Sequence, residues 1–132
     1  CERMSPEDLA RLGRIVEETE RATQAKDLTA IVQAHAEFHY LIYAACGNAE
    51  LTRVARNLWD RSYRFRVMAL SSDENASRGL LQHKAILEAL EARDSQRAAR
   101  QAEDHNQASI RHLRACVAGL GKAGSVAREP AA

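Results

Sequence analysis

Apolar residues recur at intervals of three and four positions along five segments of this chain, and residues that favour helix ends separate the segments. This spacing places the apolar side chains on one face of an α-helix. The first helix is predicted to begin at Ser5-Pro6-Glu7-Asp8, where Ser5 can cap the free backbone N–H groups and Pro6 suits the first helical position. We expect this helix to end near Gln24.

The boundaries of the other four predicted helices are marked in the same way by capping residues and by glycine. Their markers are Asp27, Gly47, Asn48, the run Ser71-Ser72-Asp73, and Asp94. The third helix is predicted to run unbroken from Asn48 to beyond Met68, with Leu51, Val54 and Leu58 on its apolar face.

The composition agrees with a helical protein. Aromatic residues make up 5% of the chain and there are 6 Gly and 2 Pro, whereas good helix formers such as Ala, Leu, Arg, Glu and Gln dominate. We therefore expect an all-α antiparallel helical bundle, with one domain over residues 1–120. The last helix is predicted to end at Gly119, Gly121 and Gly124. Residues 121–132 are expected to form a disordered tail.

Charge, hydropathy and cysteine usage exclude several classes of protein. The net charge is +1 over 132 residues, without the basic excess that is typical of a nucleic-acid-binding domain. No apolar run approaches the length of about 18 residues that a transmembrane helix needs. The three cysteines, Cys1, Cys46 and Cys116, have no C-x-x-C spacing, which favours a reducing cytoplasm over a disulfide-stabilised extracellular fold.

Four histidines fall on the apolar faces of three predicted helices. His35 and His39 are four residues apart, so their side chains lie one above the other on the second helix. His83 lies between apolar residues of the fourth helix, and His105 lies among small residues of the fifth. All four are expected to point into the bundle, and His112, two turns beyond His105, can reach the same face.

Two interpretations of these histidines stay open at this point. A single histidine on an apolar face is usually a hydrogen-bonded core residue, but four buried imidazoles without partners would each cost on the order of 1–3 kcal/mol. A metal ion would satisfy them together, since neutral imidazole binds Zn, Ni, Cu and Fe(II). The H-E-x-x-H motif of many zinc hydrolases is absent, and Glu37 falls on a different helix face from His35 and His39.

Arginines alternate with aromatic residues in the segment Trp59-Asp60-Arg61-Ser62-Tyr63-Arg64-Phe65-Arg66. The simplest interpretation is a solvated charged face. Arg61 and Arg64 are one helical turn apart, however, and one or both can reach a pocket near a metal, where a guanidinium would bind a carboxylate through two parallel hydrogen bonds. Arg61 and Arg64 are therefore candidate contacts for an anionic ligand.

The histidines lie within a series of short motifs that together are typical of one family. The motifs are Phe38-His39 followed by Ala44-Ala45-Cys46-Gly47-Asn48, the arginine-rich segment above, Gln82-His83-Lys84-Ala85-Ile86 followed by Ala92-Arg93-Asp94, and His105 eleven residues after Asp94. From about Ser5 to Leu113 the chain resembles the FCD domain, the C-terminal effector domain of FadR-type regulators in the GntR family.

The resemblance implies a bundle of six or seven helices that binds a small effector and dimerises, and we expect the N-terminal helix of that bundle to be largely missing from this chain. Many members hold a divalent metal through one Asp and three His at the bundle centre, and the metal and nearby polar or basic groups bind a carboxylate-bearing metabolite. Effector binding alters the DNA affinity of an N-terminal winged helix-turn-helix domain. That domain is not in this chain, so we expect operator DNA to be contacted only through sequence upstream of Cys1.

The metal ligands of the family carry over to this sequence with one departure. His39, His83 and His105 match the three histidine positions, whereas His35 stands where the family has Asp. Imidazole can replace carboxylate as a ligand, but it removes one negative charge. The exchange moves metal preference toward Zn, with Ni as the alternative, and away from Mn. Alternatively, His35 rotates away and leaves a three-histidine site.

The chain is predicted to be the ligand-sensing and dimerisation domain of a GntR-type bacterial transcription regulator, binding a small organic acid at a histidine-coordinated divalent metal. It is expected to be a cytoplasmic homodimer without enzymatic activity and without membrane contact. The first alternative is a metal-dependent helical enzyme, although the sequence offers no clear acid–base group for it. The second is a metal-free structural dimerisation bundle.

Overall fold

The computed structural model describes residues 3–126 of the chain, and the side chains of residues 3–118. That part of the chain forms six α-helices and contains no strand, which confirms the predicted all-α class. The helices are α1 (Pro6–Ala25), α2 (Leu28–Ala45), α3 (Ala49–Arg61), α4 (Tyr63–Leu70), α5 (Asp73–Glu91) and α6 (Ser95–Val126). None of these helices combines the length and the apolar character that a bilayer span requires.

Helix α1 begins through the local hydrogen bonds that its sequence predicts. Ser5 Oγ accepts the backbone N–H of Asp8 at 3.0 Å, and the Asp8 carboxylate accepts the backbone N–H of Ser5 at 3.0 Å. This reciprocal pair satisfies two of the N–H groups that have no partner within the helix. The helix ends at Ala25, close to the predicted end, and Lys26 follows it in a left-handed conformation with φ of 55°.

Replacing Ser5 by alanine is expected to lower the free energy of unfolding by about 1 kcal/mol, because Ser5→Ala leaves the Asp8 N–H without its acceptor. Chemical denaturation followed by circular dichroism measures the difference. Ser95→Ala is the matched control, since Ser95 is exposed and α6 is capped by Asp94 instead. The capping role is contradicted if both variants lose the same stability.

The other predicted helix starts are confirmed. Asp27, Asn48, Ser72 and Asp94 each accept a backbone N–H from the first turn of the helix that follows. Gly47, between α2 and α3, has φ of +70°, a left-handed conformation that glycine adopts without a steric penalty. These residues set where α2, α5 and α6 begin, and those are the helices that carry the inward histidines.

The prediction of one unbroken third helix is wrong, because the structure divides that segment into α3 and α4. Ser62 lies at the junction, and its hydroxyl donates to the carbonyl oxygens of Leu58 at 2.8 Å and Trp59 at 3.0 Å. A serine that bonds to the backbone of the preceding turn competes with helical hydrogen bonds and bends helices. The break therefore has a polar cause that the apolar spacing did not reveal.

The apolar face of α3 is largely exposed. Leu51, Val54 and Leu58 expose 53%, 41% and 59% of their surface, and Trp59 is the buried residue of this helix. Helix α3 packs against α2 and α4, which cover its Trp59 side. Helical spacing identifies an apolar face, but it does not identify the element that covers that face.

Helix α6 is longer than predicted. It runs to Val126 and so continues through Gly119, Gly121 and Gly124, where its end was expected. Glycine within a helix costs about 1 kcal/mol relative to alanine, which weakens a helix without forbidding it. Residues 121–126 of the expected tail are therefore helical, and residues 127–132 lie outside the described part of the chain.

The apolar core lies where α1, α2, α5 and α6 meet. Helix α1 packs against α2 and α5, α5 packs against α6, and α4 packs against α2, α5 and α6. The buried core cluster comprises Met4, Leu12, Ile15, Val16, Ala34, Phe38, Leu80, Ile86, Ala89, Leu90 and Ala98. Phe38 lies on the same inward face of α2 as the histidines of that helix, so the apolar core borders directly on a polar layer.

Candidate metal centre

Four histidines meet inside the bundle. His35 and His39 come from one face of α2, His83 comes from α5 and His105 from α6, and all four are buried. One ring nitrogen of each histidine lies within 4.8 Å of those of the other three. Their predicted inward orientation is confirmed, while their role as metal ligands stays a prediction.

His39 is the central member of the cluster. Its Nε2 lies 3.2 Å from His83 Nε2 and 3.2 Å from His105 Nε2. On the other side of its ring, His105 donates its Nδ1–H to Gln82 Oε1 at 3.0 Å. Because a neutral imidazole carries one proton, His105 Nε2 is then unprotonated, and its lone pair can only accept a hydrogen bond.

Hydrogen bonds alone do not satisfy these buried nitrogens. His39 Nε2 carries at most one proton, which points in one direction within the ring plane, so at most one of its two 3.2 Å contacts is a well-aligned hydrogen bond. The Nδ1 atoms of His35 and His83 are also buried, with no hydrogen-bond partner among the described residues. Such unsatisfied groups cost on the order of 1–3 kcal/mol each. An ion that accepts the converging lone pairs would relieve the conflict around His39.

Burial keeps the four imidazoles neutral. Loss of hydration lowers the pKa of His35 to about 3 and the pKa of His105 to about 4. It also lowers the pKa values of His39 and His83 well below their usual range, and the neighbouring histidines add to this effect. Neutral imidazole is the form that binds metals, so the cluster is ready for an ion at neutral pH.

The geometry and the donor set fit a divalent transition metal. Zn–N bonds of about 2.0–2.1 Å at tetrahedral angles separate neighbouring ligand nitrogens by about 3.3–3.4 Å. The two separations of 3.2 Å around His39 are close to this value, whereas the separations within the whole group extend to 4.8 Å, so the other rings must move inward to bind one ion. A set of imidazoles suits Zn, Ni and Cu better than Mn or Mg, which prefer oxygen ligands. The residues present therefore fit the ion that the sequence resemblance implies.

Aromatic rings restrict the rotation of the histidine rings. Phe38 stacks on His83 with 4.0 Å between ring centres and 9° between planes. Trp59 stacks on His35 at 5.5 Å and lies 4.8 Å from His39. Rings that are packed in this way keep their nitrogens aimed at the centre of the cluster before any ion arrives.

A cavity of about 40 Å³ lies beside the histidines. That volume accommodates a few water molecules, or a small polar group such as a carboxylate. Its polar lining comprises His35, Arg66, Asn75, Gln82, His105 and Ser109. Two of the four histidines, His35 and His105, thus line a space of the size of a carboxylate group.

Arg66 is the charged residue of this cavity. Its guanidinium lies 3.2 Å from the centre of the Trp59 ring, and one terminal nitrogen donates to Ser62 Oγ at 2.8 Å. Its Nε is buried with no hydrogen-bond partner among the described residues, and burial lowers the pKa of Arg66. A half-buried cation with an unpartnered N–H group attracts an anion to this side of the cluster.

The two arginines that the sequence predicted as contacts for an anionic ligand lie away from this cavity. Arg61 and Arg64 are exposed, and the Arg64 guanidinium lies 4.8 Å from the centre of the Phe65 ring. Neither residue lines the cavity beside the histidines. Their role as ligand contacts stays a prediction.

Sequence reasoning did not single out Arg66 or Gln82. The signal for Arg66 is that it follows Trp59 by seven residues, which corresponds to about two helical turns. Gln82 immediately precedes His83, and it lies on the side of α5 that α6 covers, where it meets His105. Neither signal is specific until the neighbouring helices are placed.

Two other candidates are outside the cluster. His112 is half-buried, and its Nε2 lies 3.4 Å from Cys116 Sγ. Glu37 is exposed and borders a groove between α1 and α2. The grouped metal-binding side chains in the described part of the chain are therefore four imidazoles without a carboxylate.

Comparison with known families gives a match to the FCD domain over residues 1–108. No curated protein and no solved structure matches the chain. The matched region covers most of the chain and includes all four clustered histidines together with Arg66 and Gln82. The chain belongs to the FCD domain family, the ligand-sensing regulatory domains of GntR-type regulators.

Proposed function

We propose that this domain senses a small organic acid through a divalent metal ion held by His35, His39, His83 and His105. The observation that carries the proposal is the convergence of four buried, neutral imidazoles beside a cavity lined by a cation. His35 is included in the proposed ligand set, and the support is that its ring lies 4.7 Å from the His83 ring and 4.8 Å from the His39 ring, between centres.

The proposed ion is Zn, with Ni as the alternative. Neutral ligands leave the full charge of +2 on the site, whereas a carboxylate ligand would reduce it to +1. When bound, the ion supplies a positive charge and free coordination positions for a carboxylate or hydroxyl group of the effector. The protein supplies the positions of the ligands and a second cationic contact.

The second contact is Arg66. Its unpartnered Nε–H and its place in the cavity wall support the role of carboxylate donor. The Trp59 ring beneath the guanidinium and the Ser62 hydroxyl hold it in one orientation. Arg61 and Arg64 remain candidates, and replacing each arginine in turn by glutamine distinguishes them from Arg66.

The effector regulates the protein if it binds two arrangements of the full regulator with different affinities. A ligand shifts an equilibrium between two states only when it binds one of them more tightly. The regulator is proposed to be a homodimer in the bacterial cytoplasm, contacting operator DNA through a winged helix-turn-helix domain. No chemistry on the effector is proposed. The enzyme alternative needs an acid–base group beside the metal, and Glu37 is exposed in a different groove.

A thermal-shift screen of small carboxylic acids tests the proposal. Acids that bind are expected to raise the melting temperature of the metal-loaded protein in proportion to the logarithm of concentration, and a chelator should abolish the increase. Arg66→Gln, which keeps a planar amide over Trp59, should weaken the response about tenfold or more, because it removes the charge. Arg61→Gln and Arg64→Gln should leave the response unchanged.

Three outcomes contradict parts of this assignment. A response that survives complete removal of the metal excludes the metal as an effector contact. If the thermal response to acids is lost in Arg61→Gln or Arg64→Gln but kept in Arg66→Gln, the anion contact is one of the two arginines predicted from the sequence. Turnover of a bound acid would favour the enzyme alternative.

A further inference from the structure

Gln82 joins α5 to α6 at the edge of the histidine cluster. It directly precedes His83, and its Oε1 accepts the Nδ1–H of His105 at 3.0 Å. The side chain is half-buried and lines the cavity beside the histidines. Among the residues whose side chains the structure describes, Gln82 is the polar residue outside the cluster that forms a hydrogen bond with a cluster histidine.

The contact determines which nitrogen of His105 is free. A neutral imidazole has one proton, and a carbonyl oxygen can only accept, so Gln82 Oε1 holds that proton on Nδ1. The lone pair is then on Nε2, the atom that lies 3.2 Å from His39 Nε2. Without Gln82, His105 is free to place its proton on Nε2, where it would block an ion.

His83 and His35 differ from His105 in this respect. Their Nδ1 atoms are buried with no hydrogen-bond partner within the described residues, so no polar group outside the cluster holds the Nδ1 proton of either ring. Packing against Phe38 and Trp59 orients those two rings instead. His105 has its tautomer set by a polar partner, and that partner is Gln82.

We propose that Gln82 is a positioning residue of the metal centre, acting through His105 to present Nε2 as an unprotonated ligand. The proposal depends on the proposed function in assuming that the cluster binds an ion. An amide suits this role because it accepts the Nδ1–H without taking the proton, so His105 stays a neutral ligand. Partners of this kind affect metal affinity by about 10–100-fold when they are removed.

The first test uses the metal-free chain. Nitrogen-15 NMR at neutral pH is expected to show His105 with its proton on Nδ1 in the unchanged protein. In Gln82→Leu, the proton is expected on Nε2 or divided between the two nitrogens. An unchanged tautomer in Gln82→Leu overturns the proposal, whether or not the chain binds metal.

The second test measures Co(II) and Zn(II) binding to the same chain. Gln82→Leu is expected to weaken both affinities about 10–100-fold and to change the visible absorption of bound Co(II), which reports ligand geometry. Gln82→Glu restores the acceptor and is expected to bind at least as tightly as the unchanged protein. Gln107→Leu, at an exposed position of α6, should leave affinity and spectrum unchanged.

The outcomes separate this proposal from the proposed function. If the unchanged protein binds Co(II) and Gln82→Leu binds it with equal affinity and the same spectrum, Gln82 has no positioning role while the metal centre stands. If Gln82→Glu binds more weakly than Gln82→Leu, the proposed role of the acceptor is wrong. If no variant binds Co(II) or Zn(II), the metal centre and the role of Gln82 both fail.

Discussion

The metal-free domain is expected to unfold cooperatively when the pH is lowered from 7 to about 4.5. The four clustered histidines are neutral in the folded state, with a pKa of about 3 for His35 and about 4 for His105. In the unfolded chain each would have the ordinary value of about 6.5. Below that pH the unfolded chain takes up protons that the folded protein does not bind.

The sign and the size of the effect follow from this difference. Because the folded-state pKa values are lowered, the stability is complete above about pH 6.5 and falls as the pH drops toward the folded-state values. Within that window His35 and His105 together contribute at most about 3 kcal/mol per pH unit, and the lowered pKa values of His39 and His83 act in the same direction. Since a domain of this size is stable by about 5–15 kcal/mol, the stability lost over two pH units is comparable with the whole free energy of unfolding.

Circular dichroism at 222 nm across a pH series measures the midpoint, and its steepness reports the number of protons taken up. His35→Leu is expected to reduce that number by one, because it replaces one buried imidazole by an apolar side chain. His112→Ala should leave the steepness unchanged, since His112 lies outside the cluster. A shallow transition that needs one proton or none would contradict the neutral, buried state of the four rings.

Zinc is expected to raise the melting temperature of the domain by about 10–20 °C at a concentration 1,000 times the dissociation constant. Ligand binding to the folded state alone contributes about 4 kcal/mol at that ratio. For a domain of this size, each kcal/mol moves the melting temperature by about 3–5 °C. Differential scanning calorimetry with and without metal measures the shift.

Variants of the cluster decide whether the ion binds there. His39→Ala and His83→Ala are expected to abolish the zinc-dependent increase, each measured against its own metal-free baseline, because both remove a nitrogen from the converging set. His112→Ala is the matched control and should keep the full increase. Elemental analysis of the protein purified without added metal gives an independent check. If the wild type contains no metal and takes up neither Zn nor Ni, the site hypothesis fails.

Local signals in the sequence predicted the helix ends well. Ser5, Asp27, Asn48 and Asp94 form their hydrogen bonds with residues three positions away, so a short stretch of sequence contains both partners. The inward direction of the histidines is predictable for a similar reason, since helical spacing relates each histidine to the apolar residues of its own helix.

The features that the sequence did not predict depend on contacts between helices. Apolar spacing predicts one helix where Ser62 divides the segment into α3 and α4. The helix face predicted for Arg61 and Arg64 therefore does not continue into α4. Arg66 is the arginine that lines the cavity. Gln82 becomes part of the site only because α6 places His105 opposite it. No spacing rule within one helix contains that information.

The sequence separation of the clustered histidines has a kinetic consequence. His39 and His83 are 44 positions apart, and His39 and His105 are 66 apart, so an ion bound between them ties together three helices that are distant along the chain. All three must dock before their nitrogens converge, so the ion adds its stabilisation after the folding barrier has been crossed. Metal should therefore act chiefly by lengthening the lifetime of the folded domain, with little effect on how quickly it forms.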